Sequence, residues 1–306
     1  MHFYYLQSMK DGKASFSAEI IASMRALESR KPEGVRICYD PYARELIRSK
    51  FRFVAQSRFG TKLLYAYLEK KGPGLAAGIA ARTRYIDDLV IRNVGNGAQQ
   101  VVILGAGLDM RPFRMEELRD VHVFEVDFPA TQAFKREKLK HMDLPKRHHL
   151  TYVPIDFNKD GLATELTKAG YDPTIRTFFI WEGVTMYLDA ASVDATLKYV
   201  TTHAAAGSTL YFDYLFNSVL DGTNMTSEAL LVRKTKSFNG HGTEKYTFGI
   251  DENKIENFLA ERGFKLLEHM TADSLKVRYF HGENAKRYIF RICGFVHAEV
   301  MPLIAT

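Results

Sequence analysis

An apolar run, Val101 to Leu104, ends in Gly105-Ala106-Gly107, and a second apolar run that begins at Val121 closes on Glu125 and Asp127. Buried parallel strands read as short, nearly continuous apolar segments, and both runs have that character. Glycines at the end of the first strand let the backbone turn sharply and approach a ligand closely. An acid at the end of the second strand can accept hydrogen bonds from ribose hydroxyls. Asp127 lies 20 residues beyond Gly107, close to the roughly 20 expected of a ribose-binding carboxylate in a Rossmann-like βαβ unit. These types and this spacing point to a site for a nucleoside-bearing ligand, although a lone Gly-Ala-Gly after a strand also reads as a tight turn.

What the loop lacks narrows the ligand. A dinucleotide fingerprint needs a third glycine at position 110, where this chain has Met110, to bring the helix N-terminus close to a pyrophosphate. The Lys-Ser/Thr pair of a P-loop is also missing, and Asp109 stands where phosphate charge would be unwelcome. S-adenosylmethionine, a cationic nucleoside without phosphates, fits better. An NAD-dependent oxidoreductase is disfavoured by Met110.

The elements that must position these residues follow from periodicity. Ser17 to Arg30 carries Ile20, Ile21, Met24 and Leu27 at helical spacing, with Ser17 as N-cap and Glu19 in the first turn. Asp40-Pro41-Tyr42 breaks the chain before a second helical stretch, 43 to 51, and residues 61 to 71 form a third before Gly72-Pro73-Gly74. From about residue 100, strand-like runs alternate with helical patterns: VVIL, VHVFEV, LTYVPI, TFFIWE and STLYFDYLF. That alternation predicts an α/β fold with a doubly wound, mostly parallel sheet. Residues 215 to 247 are polar and weakly periodic, and are expected to form an inserted lid. A helix stopped by Gly263 follows, and FKLLEHM and KRYIFRICGFVHAEV supply the last strands, one of them antiparallel. The whole chain reads as one domain: a helical part at 1–95, a core at 96–214, the insertion at 215–247, and the rest of the core at 248–306.

Composition bounds the partners. With 46% hydrophobic and 25% charged residues, the 306-residue chain can bury a full core. Apolar runs such as Leu75 to Ala81 fall far short of the roughly 18 residues needed to span a bilayer. The N-terminus shows no basic segment leading an apolar core, so a cytoplasmic protein is expected. Cys38 and Cys293 lie outside any CxxC pattern and read as buried free thiols. His148 and His149 are adjacent instead of at ligand spacing and no HExxH occurs, so no metal is expected. The net charge of +6 concentrates in Lys135 to His149, which reads as a solvated helix face. No aromatic-interleaved motif accompanies it, so nucleic acid is not an expected partner.

Six segments in order carry a family pattern: DPYARELI at 40–47, ARTRYIDD at 81–88, VVILGAGLDMRPFR at 101–114, FEVDFP at 124–129, PIDF at 154–157 and WEGVTMYL at 181–188. Together they span most of the chain, which resembles the leucine carboxyl methyltransferase family of class I S-adenosylmethionine-dependent methyltransferases, bacterial O-methyltransferases included. The resemblance implies that Arg82 pairs with the methionine carboxylate of the cofactor, a task suited to a permanently charged bidentate fork. It places Gly105 and Gly107 under the methionine moiety, Asp127 on the ribose, Asp156 and Phe157 at the adenine, and Glu182 beside the cofactor. A glutamate after four apolar residues is in any case costly to bury unpaired. The position after Asp109, commonly threonine in the family, is Met110 here.

The implied reaction is in-line transfer of the sulfonium methyl to an acceptor oxygen, leaving S-adenosylhomocysteine, with the acceptor a small metabolite. A carboxylate acceptor is already ionised and needs no base, whereas a hydroxyl needs one. His203, His241, Tyr187, Tyr214 and Tyr246 are candidates by residue type alone, and no catalytic base is assigned. A protein C-terminal carboxylate as acceptor and a non-catalytic cofactor-binding protein remain as alternatives, and the oligomeric state is open.

Overall fold

The computed structural model describes residues 16–47, 58–156, 160–235 and 246–302. Its central strands are β1 (Gln100–Leu104), β2 (His122–Asp127), β3 (Leu150–Pro154), β4 (Thr177–Trp181) and β5 (Thr209–Phe216). Every residue of β1, β4 and β5 is buried, the reason their sequences are continuous apolar runs instead of alternating ones. The remaining strands are the two-residue β6 (Gly249–Ile250), β7 (Phe264–Met270) and β8 (Cys293–Val300). They assemble in the order β3-β2-β1-β4-β5-β8-β7, with β6 alongside β5. Pairing is parallel from β3 through to β5, and β8 runs antiparallel to both β5 and β7.

The chain order reverses between β1 and β4, which are neighbours in the sheet. In an open α/β sheet this switch point leaves a crevice outside the carboxyl ends of the strands, where ligands bind. Gly105 to Gly107 leave β1 there, and Glu182 and Gly183 leave β4 beside them.

Among the described residues, four helices precede the sheet: α1 (Phe16–Ser29), α2 (Ala43–Leu46), α3 (Arg58–Lys71) and α4 (Leu75–Gly95). The 21-residue α4 is the longest, and its buried face includes Ile79, Arg82, Tyr85, Ile86 and Leu89. Of the second helical stretch predicted at 43–51, Ala43–Leu46 forms one turn and residues 48–51 lie outside the described residues. The Asp40 carboxylate accepts from the amides of Tyr42 and Ala43 (3.1 and 3.0 Å) and starts α2. Ile47 is already extended (ψ 156°), and it packs with Leu46, Ala22, Leu108 and Met110. Tertiary packing there overrides local helix propensity.

The later helices are α5 (Arg111–Arg114), α6 (Pro129–Leu139), α7 (Leu162–Lys168), α8 (Ala190–His203), α9 (Asn217–Asp221), α10 (Ser227–Thr235), α11 (Ile255–Ala260) and α12 (Ala272–Tyr279). The expected lid segment thus contains two short helices, α9 and α10, separated at Gly222 (φ +92°). Residues 236–245, His241 included, lie outside the described residues, as does Phe157. The last predicted strand begins only at Cys293: a 3-10 turn covers residues 282–286, and 287–292 are irregular.

The basic stretch needs a correction. Lys135 is not on a solvated face: it is 1% exposed and its Nζ lies 2.7 and 2.8 Å from the two Glu125 oxygens. A long amine on the inward side of α6 can be buried because a carboxylate on β2 meets it. Cys38 and Cys293 are buried free thiols. Among the described residues, no helix is long and apolar enough to cross a membrane.

Candidate active site at the sheet switch point

The loop after β1 is built by the glycines. Gly105 (φ +72°) and Gly107 (φ +50°) both take the left-handed conformation that side chains oppose. A Cβ on Gly105 would stand 2.6 Å from Cγ2 of Val184, so the loop and the segment after β4 are in close contact there. The amides of Gly105 and Ala106 donate to the Val126 carbonyl (2.9 and 3.1 Å), drawing the loop across the end of β2. Asp127 completes the cradle, its carboxylate accepting from the amides of Gly107 and Phe128. Burial pushes its carboxyl up to about 6, although the two amides and nearby Lys135 oppose the shift.

The opposite wall is an unbroken series of buried ion pairs. Arg82, on α4, sets Nε 2.8 Å from Glu182 and Nη1 2.7 Å from Asp213. Glu182 also meets Arg111 Nη1 at 2.8 Å, and Arg111 reaches Asp109 (2.5 Å) and Asp87 (2.8 Å). Arg114 closes the series on Asp87 at 2.7 Å. Three guanidinia therefore face four carboxylates, those of Asp87, Asp109, Glu182 and Asp213. Burial alone would raise the Glu182 carboxyl, but Arg82 and Arg111 hold it below its ordinary value. Burial raises Asp213, although Arg82 and the Gly183 amide, which donates to it at 2.6 Å, work against that.

Three cavities meet at this point. The first, about 70 Å³, is lined by Arg82, Gly105, Gly107, Asp127 and Glu182 among others. The second, about 300 Å³, shares Gly105, Asp127 and Val184 with it and is otherwise largely apolar, with Phe128, Leu162, Trp181 and Tyr199 in its walls. The third, about 110 Å³, shares Ser17, Ile21, Arg82, Gly183 and Tyr187 with the first. Five of the seven residues singled out by sequence thus border one cavity. Asp156 does not border any of the three; its amide donates to the Asp160 carboxylate at 2.9 Å, just past β3.

The residues considered as bases divide in the same way. Tyr187 and Tyr246 line the third cavity, their rings stacked at 5.2 Å. His203 caps its own helix, Nδ1 3.1 Å from the Tyr199 carbonyl, and Tyr214 meets His269 at 3.2 Å. Arg111 and Asp213 were missed. The signal for Asp213 was available: an acid inside the apolar strand TLYFDYLF has to find a cation. Among the described residues, no group of three His, Cys, Asp or Glu could hold a metal ion.

The site suits a nucleoside that carries positive charge. The tight glycine cradle ends on a carboxylate able to accept from hydroxyls, an apolar cavity adjoins it, and the carboxylates of Asp109, Asp127 and Glu182 stand against the guanidinia of Arg25 and Arg82 around the first cavity.

Comparison with known proteins agrees. The chain is 28% identical over 307 residues to YktD of Bacillus subtilis, a presumed S-adenosyl-L-methionine-dependent methyltransferase, covering 95% of this chain and 99% of that one. It is 33% identical over 208 residues to a presumed methyltransferase of the same kind from Mycolicibacterium gilvum, 65% of each chain being covered. Its fold matches the crystal structure of a presumed methyltransferase from Thermobifida fusca with a TM-score of 0.60 at 15% identity, over 97% of this chain and 98% of that one. The sequence pattern of the leucine carboxyl methyltransferase family matches residues 18–201, well over half of the chain. The protein therefore belongs to the leucine carboxyl methyltransferase family and is an S-adenosylmethionine-dependent methyltransferase.

Proposed function

We propose that the protein transfers the methyl group to an oxygen, carboxylate or hydroxyl, of a small metabolite. The observation that carries this reading is that Arg82, Gly183 and Tyr187 line both the first cavity and the third. In the proposed arrangement the first cavity holds the methionine and ribose of the cofactor, the second its adenine, and the third the acceptor. Arg82 holds the methionine carboxylate, Gly105 and Gly107 let the backbone lie against the methionine moiety, Asp127 accepts from the ribose hydroxyls, and Glu182 lies beside the cofactor. Asp156 and Phe157 are assigned to the adenine from family resemblance alone, since Asp156 lies outside the lining of the second cavity and Phe157 outside the described residues.

S-adenosylmethionine supplies an electrophilic methyl on an already charged leaving group, so the residues of the chain are needed mainly for orientation and exclusion of water. The 215–247 insertion serves as one wall of the acceptor site, since Val232 and Tyr246 line the third cavity. The name of the family indicates transfer to a carboxyl group, which favours oxygen as the acceptor atom. Calorimetric titration with S-adenosylhomocysteine tests the cofactor site without knowledge of the acceptor, and micromolar or tighter binding is expected. Methyl label from the cofactor should then pass in a cell lysate to organic-extractable material. Label confined to protein would replace the small metabolite with a protein acceptor.

A further inference from the structure

We infer that Thr131, in the first turn of α6, is a further binding residue for the cofactor, its hydroxyl hydrogen-bonding the ribose beside Asp127. This rests on the methyltransferase reading above. Thr131 lines the first cavity together with Gly107 and Asp127. It is fully buried, and its Oγ1 has no hydrogen-bond partner among the described residues. The charged side chains around the same cavity are committed within the fold: Arg25 to Asp40, Arg82 to Glu182 and Asp213, and Asp109 to Arg111.

A helical threonine ordinarily finds an outlet in the carbonyl three or four residues back. Here those carbonyls serve backbone donors instead. The carbonyl of Asp127 accepts from the Ile155 amide at 2.9 Å and that of Phe128 from the Gln132 amide at 3.1 Å, and Oγ1 is bonded to neither. A buried hydroxyl without a partner destabilises the free protein, and valine would fill the same space without that penalty. A ligand in the cavity supplies what the fold withholds. Each ribose hydroxyl is both a donor and an acceptor, whereas the ionised Asp127 carboxylate only accepts. Two of its lone pairs are already used by the amides of Gly107 and Phe128. The Thr131 hydroxyl can donate to a ribose oxygen whose own proton goes to Asp127, so the two side chains together satisfy a hydroxyl that the carboxylate alone would leave half paired. Thr131 enters the cavity from the β2–α6 side, as Asp127 does, while Arg82 enters it from α4. That places the contact on the ribose and not on the methionine carboxylate.

The test compares wild type, Thr131→Val and Thr131→Ser. Affinity for S-adenosylhomocysteine is measured by calorimetry, and affinity for 5′-methylthioadenosine, which keeps the ribose but lacks the amino-acid end, by displacement of labelled S-adenosylhomocysteine. Thr131→Val should bind both ligands about tenfold more weakly, while its thermal midpoint stays at or above that of wild type. Thr131→Ser keeps the hydroxyl and should bind both within about threefold of wild type, a rescue that a packing role would not give. Unchanged affinity in Thr131→Val would overturn the inference. So would a loss confined to S-adenosylhomocysteine, which would move the contact to the methionine end, or a lowered midpoint with no rescue by serine, which would make Thr131 a packing residue. Absence of S-adenosylhomocysteine binding by folded wild type would instead remove the reading on which the inference rests.

Discussion

Two buried carboxylates flank β1 at the switch point, and the protein treats them in opposite ways. Glu182, just past β4, lies 2.8 Å from each of two guanidinia, and they keep it ionised. Asp127, at the end of β2, meets the amides of Gly107 and Phe128 and makes no ion pair among the described residues. Burial pushes its carboxyl up to about 6. Comparable burial does not make equal acids. Both border the first cavity, but the charge of Glu182 is committed to joining α4, α5 and β4, whereas Asp127 still has lone pairs able to accept from a ligand's hydroxyls.

Four experiments would break or sharpen this contrast. The largest effect is expected from Glu182→Ala, which removes the partner shared by Arg82 and Arg111 while Asp213, Asp109 and Asp87 stay beside them, and should cost about 3 kcal/mol of stability. Chemical denaturation reads this directly, and an unchanged midpoint would mean that the ion pairs do not hold the site together. Asp127→Ala should instead lower affinity for S-adenosylhomocysteine by roughly 100-fold, about 2.7 kcal/mol, with a smaller change in stability. Titration within twofold of wild type would remove Asp127 from the cofactor site.

The glycines come next. Gly105→Ala presses on Val184, on the Glu182 side, and should cost about 2 kcal/mol from left-handed strain together with the clash. Gly107→Ala should be milder, because its Cβ would lie 3.4 Å from Ala18, an ordinary contact distance. Equal losses of thermal stability in the two variants would contradict the close approach at Val184.

The smallest effect is on pH. Asp127 is ionised above about 6 and protonated below, and ribose hydroxyls donate to the ionised form. Affinity for S-adenosylhomocysteine should therefore fall as the solution is acidified through that value, by roughly tenfold one unit below it. Asp127→Asn should flatten the profile, and a profile retained in that variant would place the titration on another group.

Much of the fold was legible because buried parallel strands announce themselves. VVIL, VHVFEV and TFFIWE are largely apolar since both faces of the sheet are covered. The stretch from Ala43 was harder: four residues of helical pattern precede a segment that packs in extended form at Ile47, and periodicity does not report a partner such as Leu108 or Met110. The basic run misled for a similar reason. Lys135 differs from its exposed neighbours only in facing Glu125, and that pairing joins residues on separate elements.

The candidate site divides along the same line. The sequence by itself determined the glycine loop, the spacing to Asp127 and the presence of an acid after TFFIW, because these are local properties of a strand, its turn and the next strand. Only the tertiary structure decided which acids were paired and which were left to a ligand. Arg82 meets Asp213 across 131 residues of chain, and Arg111 meets Glu182 across 71. Such contacts depend on how α4 and α5 pack over the ends of β4 and β5. The walls of the third cavity were decided there as well, since Ile20, Ile79, Val232 and Phe290 come from four distant segments that converge only in the folded chain.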